Sequence, residues 1–455
     1  LTLRVSFIRP AVSFTFVFLV TANFGFDSIY SIKVNRSDSA VSSTMPIPAA
    51  IRKKLRTESP MISFKIWKHI APHIYDFCFV ANCNACIRSV QCADDVVFLK
   101  EDSQECNLII SADSAIGGRL MSATVTIPTV VSPSCSAESS SESSGRYSLT
   151  ASPNISTDYC LSRSQKVFDS KQMPQKQTLV ALQTLDKIEL YDTNGFHAVS
   201  DMTNTRQADL YFTGLTTKGC GLAWNRLNPG YLLSSDIDGH LCIWDINGKS
   251  LDGGKLPPLH SITKGKPSGI NEVAWSTKNS LQFGAAGYTG GLFIWDIRSL
   301  KSDAPVFSFE AHGSSTTSLA FHPTIDCMIA SSSINGTFSV WDLRHLKAPF
   351  YTLEWLSRAV NKVRWSPFHE SILATSCGDK NIYLWNLNAG VKRINDKVAV
   401  TAQEEPDELL FIHSGHARRV TDFSWNMESE SRPLCVVSVD ETGLLNLWEM
   451  VISES

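Results

Sequence analysis

Many side chains in this sequence are reactive types, but few stand at the spacings that chemistry requires. Cys83-Asn-Ala-Cys86 is a single C-x-x-C unit, with Cys78, Cys92, His69 and His73 nearby. A zinc site needs a second such unit or a His pair at fixed spacing, and none follows, so no metal is expected. No G-x-S-x-G, phosphate loop, H-E-x-x-H or dinucleotide fingerprint occurs, and Asp440-Glu441 falls at a turn. No catalysis and no cofactor are expected. What remains is chemistry of binding. Glu404, Glu405, Asp407 and Glu408 run directly into Leu409, Leu410, Phe411 and Ile412. Carboxylates in that density suit the Arg and Lys of a basic partner. The apolar run suits the other face of an amphipathic helix. The plain alternative is a solvated acidic loop that feeds a buried strand. A second pattern is Trp295-Asp-Ile-Arg298 and Trp341-Asp-Leu-Arg344, with Arg298 and Arg344 at the same offset from a Trp-Asp pair.

The elements that position these residues come from a repeat. Five segments end alike, at Trp244, Trp295, Trp341, Trp385 and Trp448. An apolar-aromatic mark precedes each, at Trp224, Trp275, Phe321, Trp365 and Trp425, with spacings of 20, 20, 20, 20 and 23 residues. A period of about 40–50 residues closed by Trp-Asp predicts propeller blades, each a four-stranded antiparallel sheet. Between the marks, Asp238-Gly239, Asn335-Gly336 and Asp379-Lys380 read as hairpin turns. Val167 to Asp192 has the same rhythm, and Leu108 to Pro128 reads as two strands about Gly117-Gly118. The expected architecture is therefore all-β: a seven-bladed WD-repeat β-propeller over residues 81–452, with an N-terminal helix over 61–80. The Ser-rich stretch 132–159 is expected to be a disordered loop.

Composition bounds the rest. A net charge of -3, with 43% hydrophobic and 19% charged residues, gives no general attraction to nucleic acid. Twelve Cys in 455 residues make no disulfide framework and read as buried thiols. Residues 1–60 form an extension. In it Arg4 and Arg9 precede an apolar run, Ala11 to Ala22, with the layout of a secretory signal and too short for a clear membrane span. The other reading is that this run is not native, with a start at Met45 or Met61. Arg52-Lys53-Lys54-Leu55-Arg56 reads either as a nuclear import signal or as a solvated linker.

Three stretches resemble the histone-binding WD-repeat family of retinoblastoma-binding proteins and chromatin-assembly small subunits. They are Phe64–Asp76 (FKIWKHIAPHIYD), the repeat around Met173-Pro174-Gln175, and Glu404–Asn426 (EEPDELLFIHSGHARRVTDFSWN). The resemblance runs from about Phe64 to Met450. It implies a nuclear, non-catalytic scaffold subunit of chromatin assembly, deacetylase, remodelling or Polycomb-type complexes. A basic core-histone helix would lie between the N-terminal helix (Trp67, Ile74, Tyr75) and the acidic loop (Glu404, Glu405, Asp407, Glu408, Leu409, Leu410, Phe411). It also implies that His312 and His416 serve buried structural hydrogen bonds. At the top opening the sequence departs from the family. Lys166, Lys218, Asn271 and Ala359 replace its Glu residues; Phe168, Cys220 and Asn361 replace Asn, Tyr and Phe; and Arg419 stands for a Lys. Those exchanges reverse the charge and predict that basic peptide tails are refused there. The segment Val80–Arg88 and the short end after Glu449 also depart, both beside the expected groove. The rival reading takes Arg298 and Arg344 as contacts to a cullin-type ubiquitin-ligase adaptor, with the propeller as substrate receptor. Neither reading expects contact with membrane or sequence-specific nucleic acid.

Overall fold

Runs such as Ile372–Cys377 and Cys435–Asp440 are continuous in apolar and small residues, and every one of their side chains is buried. A strand buried on both faces is the second strand of a blade, pressed between the blades on either side. In the computed structural model the described residues are 17–19, 28–32, 49–57, 63, 67, 71, 75–83, 85–92, 98–100, 103–114, 117–128, 154–163, 165–185, 187–196, 206–248, 254–263, 267–302, 304–389, 405–426 and 434–450.

Seven sheets make seven blades, antiparallel except where Lys255–Leu256 joins Leu210–Phe212 in parallel at the edge of blade 2. Their inner strands are Cys86–Cys92, Val167–Met173, Gly219–Trp224, Ile270–Trp275, Thr316–Phe321, Val360–Trp365 and Val420–Trp425, for blades 1 to 7. The last blade is completed by the other end of the chain. Tyr75–Asn82 pairs antiparallel with Leu444–Met450 as its fourth strand, and Ser28–Ile32 and Val17–Leu19 extend the sheet beyond it. The helix expected over 61–80 is corrected accordingly: Ser63, Trp67 and Ala71 are helical, but from Tyr75 onward the chain is strand and belongs to the propeller. Of the loop expected over 132–159, residues 132–153 lie outside the described residues, and Asn154–Arg163 is the outer strand of blade 1. No helix among the described residues is long and apolar enough to cross a membrane.

Two aromatic sets lock the ring. The repeat-ending Trp244, Trp295, Trp385 and Trp448 are fully buried, and Trp341 nearly so. The earlier set has a second role. Indole N–H groups of Trp224, Trp275, Trp365 and Trp425 donate to carbonyls of Lys171, Ala223, Ala320 and Arg364, each on the preceding blade, at 2.9–3.4 Å. Phe321 has no such donor. Between blades 7 and 1, Val90 N–H donates to Asp422 Oδ2 and Thr421 Oγ1 to the Ile87 carbonyl.

The expected buried His networks are present in two blades. His416 Nε2 lies 2.8 Å from Ser438 Oγ, which also accepts from Trp448 Nε1 at 3.1 Å. His312 and Trp341 share Ser331 in the same way. Burial lowers His312 to about 4, so it works as a neutral ring. The turns between second and third strands hold one left-handed residue each: Gly239, Gly290, Gly336, Lys380 and Gly443 have φ of 74–91°. At Gly336 a Cβ would sit 2.1 Å from the Leu356 carbonyl oxygen, so only glycine fits.

Candidate functional site

The residues ahead of the propeller pack on its side at blades 6 and 7. Helix α1, Ala49–Thr57, contains the basic pentad. Ile51 and Leu55 are four apart and share one face. Leu55 is fully buried in a cluster with Trp67, Ala71, Ile382, Phe411 and Trp448. Lys54 and Arg56 sit in the last turn, where cations meet the negative end of the helix dipole. The Arg56 guanidinium lies 3.6 Å from the ring centre of Trp355. Arg52 Nε pairs with Glu405 at 2.9 Å, both side chains about a fifth exposed. The pentad is thus a docked helix in which Lys53 and Lys54 face solvent, instead of a solvated linker.

Behind α1 runs a buried polar chain. Trp67 Nε1 donates to Tyr75 Oη at 2.9 Å, and Tyr75 Oη shares a 2.7 Å hydrogen bond with His413 Nδ1. His413 stacks on Trp448 at 4.3 Å between ring centres, nearly parallel. Burial raises Tyr75 well above its ordinary value and lowers His413 well below its own, so both stay neutral. The structure therefore brings together Trp67, Tyr75, Leu409 and Phe411 of the expected groove, and places all four in the core. Glu408 is also buried, at 2% exposure. Glu405, Asp407 and Leu410 reach the surface, Asp407 in the open and Leu410 36% exposed. Ile74 and Glu404 lie outside the described residues. The sequence reading missed Arg52, Trp355 and His413 as parts of this site. The Ile51/Leu55 spacing within a basic run was the available signal.

The other sequence-derived positions are separate. Arg298 and Arg344 follow the third strands of blades 4 and 5, each in a two-point pair with its own Asp296 or Asp342, and are about 70% exposed. At the top opening Lys218 Nζ lies 4.1 Å above the Phe168 ring, and Lys166 is exposed. Asn271 is turned aside, donating to Ser315 Oγ and the Thr316 carbonyl. Arg419 pairs with Glu441 at 3.2 Å. Below the opening is a cavity of about 260 Å³. Its wall carries Glu272, which meets Arg364 and Lys362 at 2.6 Å each, and Lys171, which meets Asp169 at 3.2 Å. Paired charges leave this space without a dominant sign. Among the described residues, no group of three or more His, Cys, Asp or Glu is placed to hold a metal ion.

Seven blades, Trp-ended third strands and Ser–His–Trp networks define a WD-repeat β-propeller, the architecture of protein-binding scaffolds. The family described as "WD domain, G-beta repeat" matches residues 303–342 and 349–386, which take in the first three strands of blades 5 and 6 and the outer strand of the blade before each. The chain is similar to the WD-40 repeat-containing protein MSI3 of Arabidopsis thaliana, at 31% identity over 287 residues. That alignment covers 62% of this chain and 64% of the relative, so the chain spans less than two thirds of the relative's length.

Proposed function

We propose that this protein is a non-catalytic, nuclear, histone-binding scaffold subunit of chromatin assembly, deacetylase, remodelling or Polycomb-type complexes. It holds a basic core-histone helix at the acidic segment Glu404–Glu408, beside the N-terminal helical residues. One observation carries the reading. The acidic segment already engages a basic amphipathic helix, its own α1, through the Arg52–Glu405 pair and the buried Leu55. Charge-assisted contacts at the surface, backed by an apolar wall, are what a basic partner helix requires. Asp407 offers a surface carboxylate, Glu405 one that a partner's cation takes over from Arg52, and Leu410 a partly exposed apolar contact.

The test is fluorescence anisotropy of a labelled basic core-histone helix peptide with the purified chain. Glu405→Ala/Asp407→Ala serves as the control, leaving buried Glu408 intact. Binding that this variant loses supports the reading; no binding by a folded sample refutes it. The second reading, a substrate receptor for a cullin-type ligase, is favoured by the matched exposure of Arg298 and Arg344 on consecutive blades. Under it, an Arg298→Ala/Arg344→Ala variant stops co-purifying with the ligase adaptor.

A further inference from the structure

The top of the propeller carries a surface that the side groove does not use. In blades 3 to 7, the residue after the second strand sends its N–H to the carbonyl of the residue just before the inner strand. Ile237 bonds Lys218 at 2.9 Å, Tyr288 bonds Gly269 at 3.1 Å and Ile334 bonds Ser315 at 3.1 Å. These turn residues therefore ring one mouth. Four consecutive blades, 2 to 5, place Leu185, Ile237, Tyr288 and Ile334 after their second strands, exposed by 49%, 37%, 37% and 56%. Single exposed apolar side chains are ordinary on any protein. Four at one register position on neighbouring blades form an arc, and contiguous apolar surface is what marks a docking site.

The arc is continuous with the channel wall. A Cβ at Gly269 would lie 2.5 Å from the Tyr288 ring and 3.1 Å from the Ile237 carbonyl oxygen, so the ring packs closely on that glycine. The Tyr288 hydroxyl meets the Cys220 thiol, and Phe168 lies under Lys218. The charge around this arc is basic. Lys166 and Lys218 are exposed beside blades 2 and 3, and Arg358 and Arg418 hold comparable positions before blades 6 and 7. On the acidic side Asp238 is exposed, while Glu441 is taken up by Arg419 and Asp379 meets the Tyr383 hydroxyl. A basic mouth on a chain of net charge -3 is a local asymmetry.

We propose that the top mouth is a docking surface for an acidic peptide segment of a partner protein that carries aliphatic or aromatic side chains. Its apolar residues lie along Ile237, Tyr288 and Ile334, and its carboxylates reach Lys166, Lys218 and Arg358. Nucleic acid fits less well, because bases need open aromatic faces, and the Phe168 face is covered by Lys218 while the rest of the arc is mostly aliphatic.

The experiment uses the full chain and a short fluorescein-labelled peptide in which Asp and Glu alternate with Leu and Phe. Two variants report on the two halves of the surface: Lys166→Glu/Lys218→Glu for charge and Ile237→Ser/Ile334→Ser for the arc. All four residues are exposed, so circular dichroism should match the parent. The expected result is binding that weakens at least about tenfold in each variant and falls as salt rises. Glu405→Ala/Asp407→Ala should bind the peptide as the parent does, which separates this surface from the side groove. Absence of binding overturns the proposal. Unchanged affinity in both variants does so too, as does equal affinity for a single-stranded oligonucleotide.

Discussion

Glu272 offers the sharpest test of how the ring is held. It leaves the inner strand of blade 4 and crosses the channel to Lys362 and Arg364 on blade 6, at 2.6 Å each, while accepting from Leu319 N–H on blade 5 at 3.3 Å. Its side chain is 7% exposed, and those of Lys362 and Arg364 are 26% and 27% exposed. Burial pushes the carboxyl up, but Arg364 and Lys362 together outweigh burial and hold it well below the usual carboxylate range. Glu272→Gln keeps the volume and removes the charge. Breaking a fully buried pair costs about 3–5 kcal/mol. Because the two cations retain partial access to water, roughly 2–3 kcal/mol is expected here. The assay is urea unfolding followed by tryptophan fluorescence, with exposed Glu441→Gln as a control expected to change stability little. The pH dependence fixes the sign. A carboxyl whose folded value is depressed stabilises above its unfolded value of about 4.3, and that stability is lost as pH falls below it. The gap between parent and variant should therefore narrow by roughly 1.4 kcal/mol per pH unit below about pH 4.3. A variant as stable as the parent at pH 7 refutes the cross-channel tie. A gap undiminished at pH 3 refutes its electrostatic origin.

Three further outcomes are expected. Gly336→Ala places a Cβ 2.1 Å from the Leu356 carbonyl at φ 91°, and should destabilise by at least about 2 kcal/mol in chemical unfolding, whereas Gly313→Ala, with open space, should be neutral. Ser438→Ala leaves buried His416 and Trp448 without their shared hydroxyl and should cost about 2–3 kcal/mol; an unchanged midpoint would show the network to be ornamental. A basic histone-tail peptide should show no saturable binding at the Lys166/Lys218 mouth in calorimetry, and micromolar affinity there would overturn the charge argument.

Most of the fold was legible because the Trp-ended third strand repeats locally, and local periodicity survives in sequence. Blades 1 and 2 were readable from strand rhythm even where Tyr191 takes the place of Trp. The role of Tyr75–Asn82 was not readable, since its partner Leu444–Met450 lies at the far end of the chain and nothing near either strand announces the pairing. Site residues divided by burial. Glu405, Asp407 and Leu410 sit where an acidic loop should, but Tyr75, Phe411 and Glu408 face inward, because Leu409–His413 is buried at every position except Leu410 and Tyr75 packs with Phe411 in one cluster. The pentad misled for a related reason. Its charges read as solvated, whereas Leu55 in its midst anchors the helix.

The way blade 7 is completed has a consequence for biosynthesis. Asn82 leaves the ribosome about 370 residues before Met450. At roughly 5–20 residues per second, the early strand waits some twenty to seventy seconds for its mate. Throughout that interval one edge of this eight-residue strand stays open, since Ser28–Ile32 pairs only its other edge, over Cys78–Asn82, and an open edge is a template for pairing with any neighbour. Crowded polysomes would thus be the most dangerous place in this molecule's life, and holdase chaperones that shield the early strand its natural guardians.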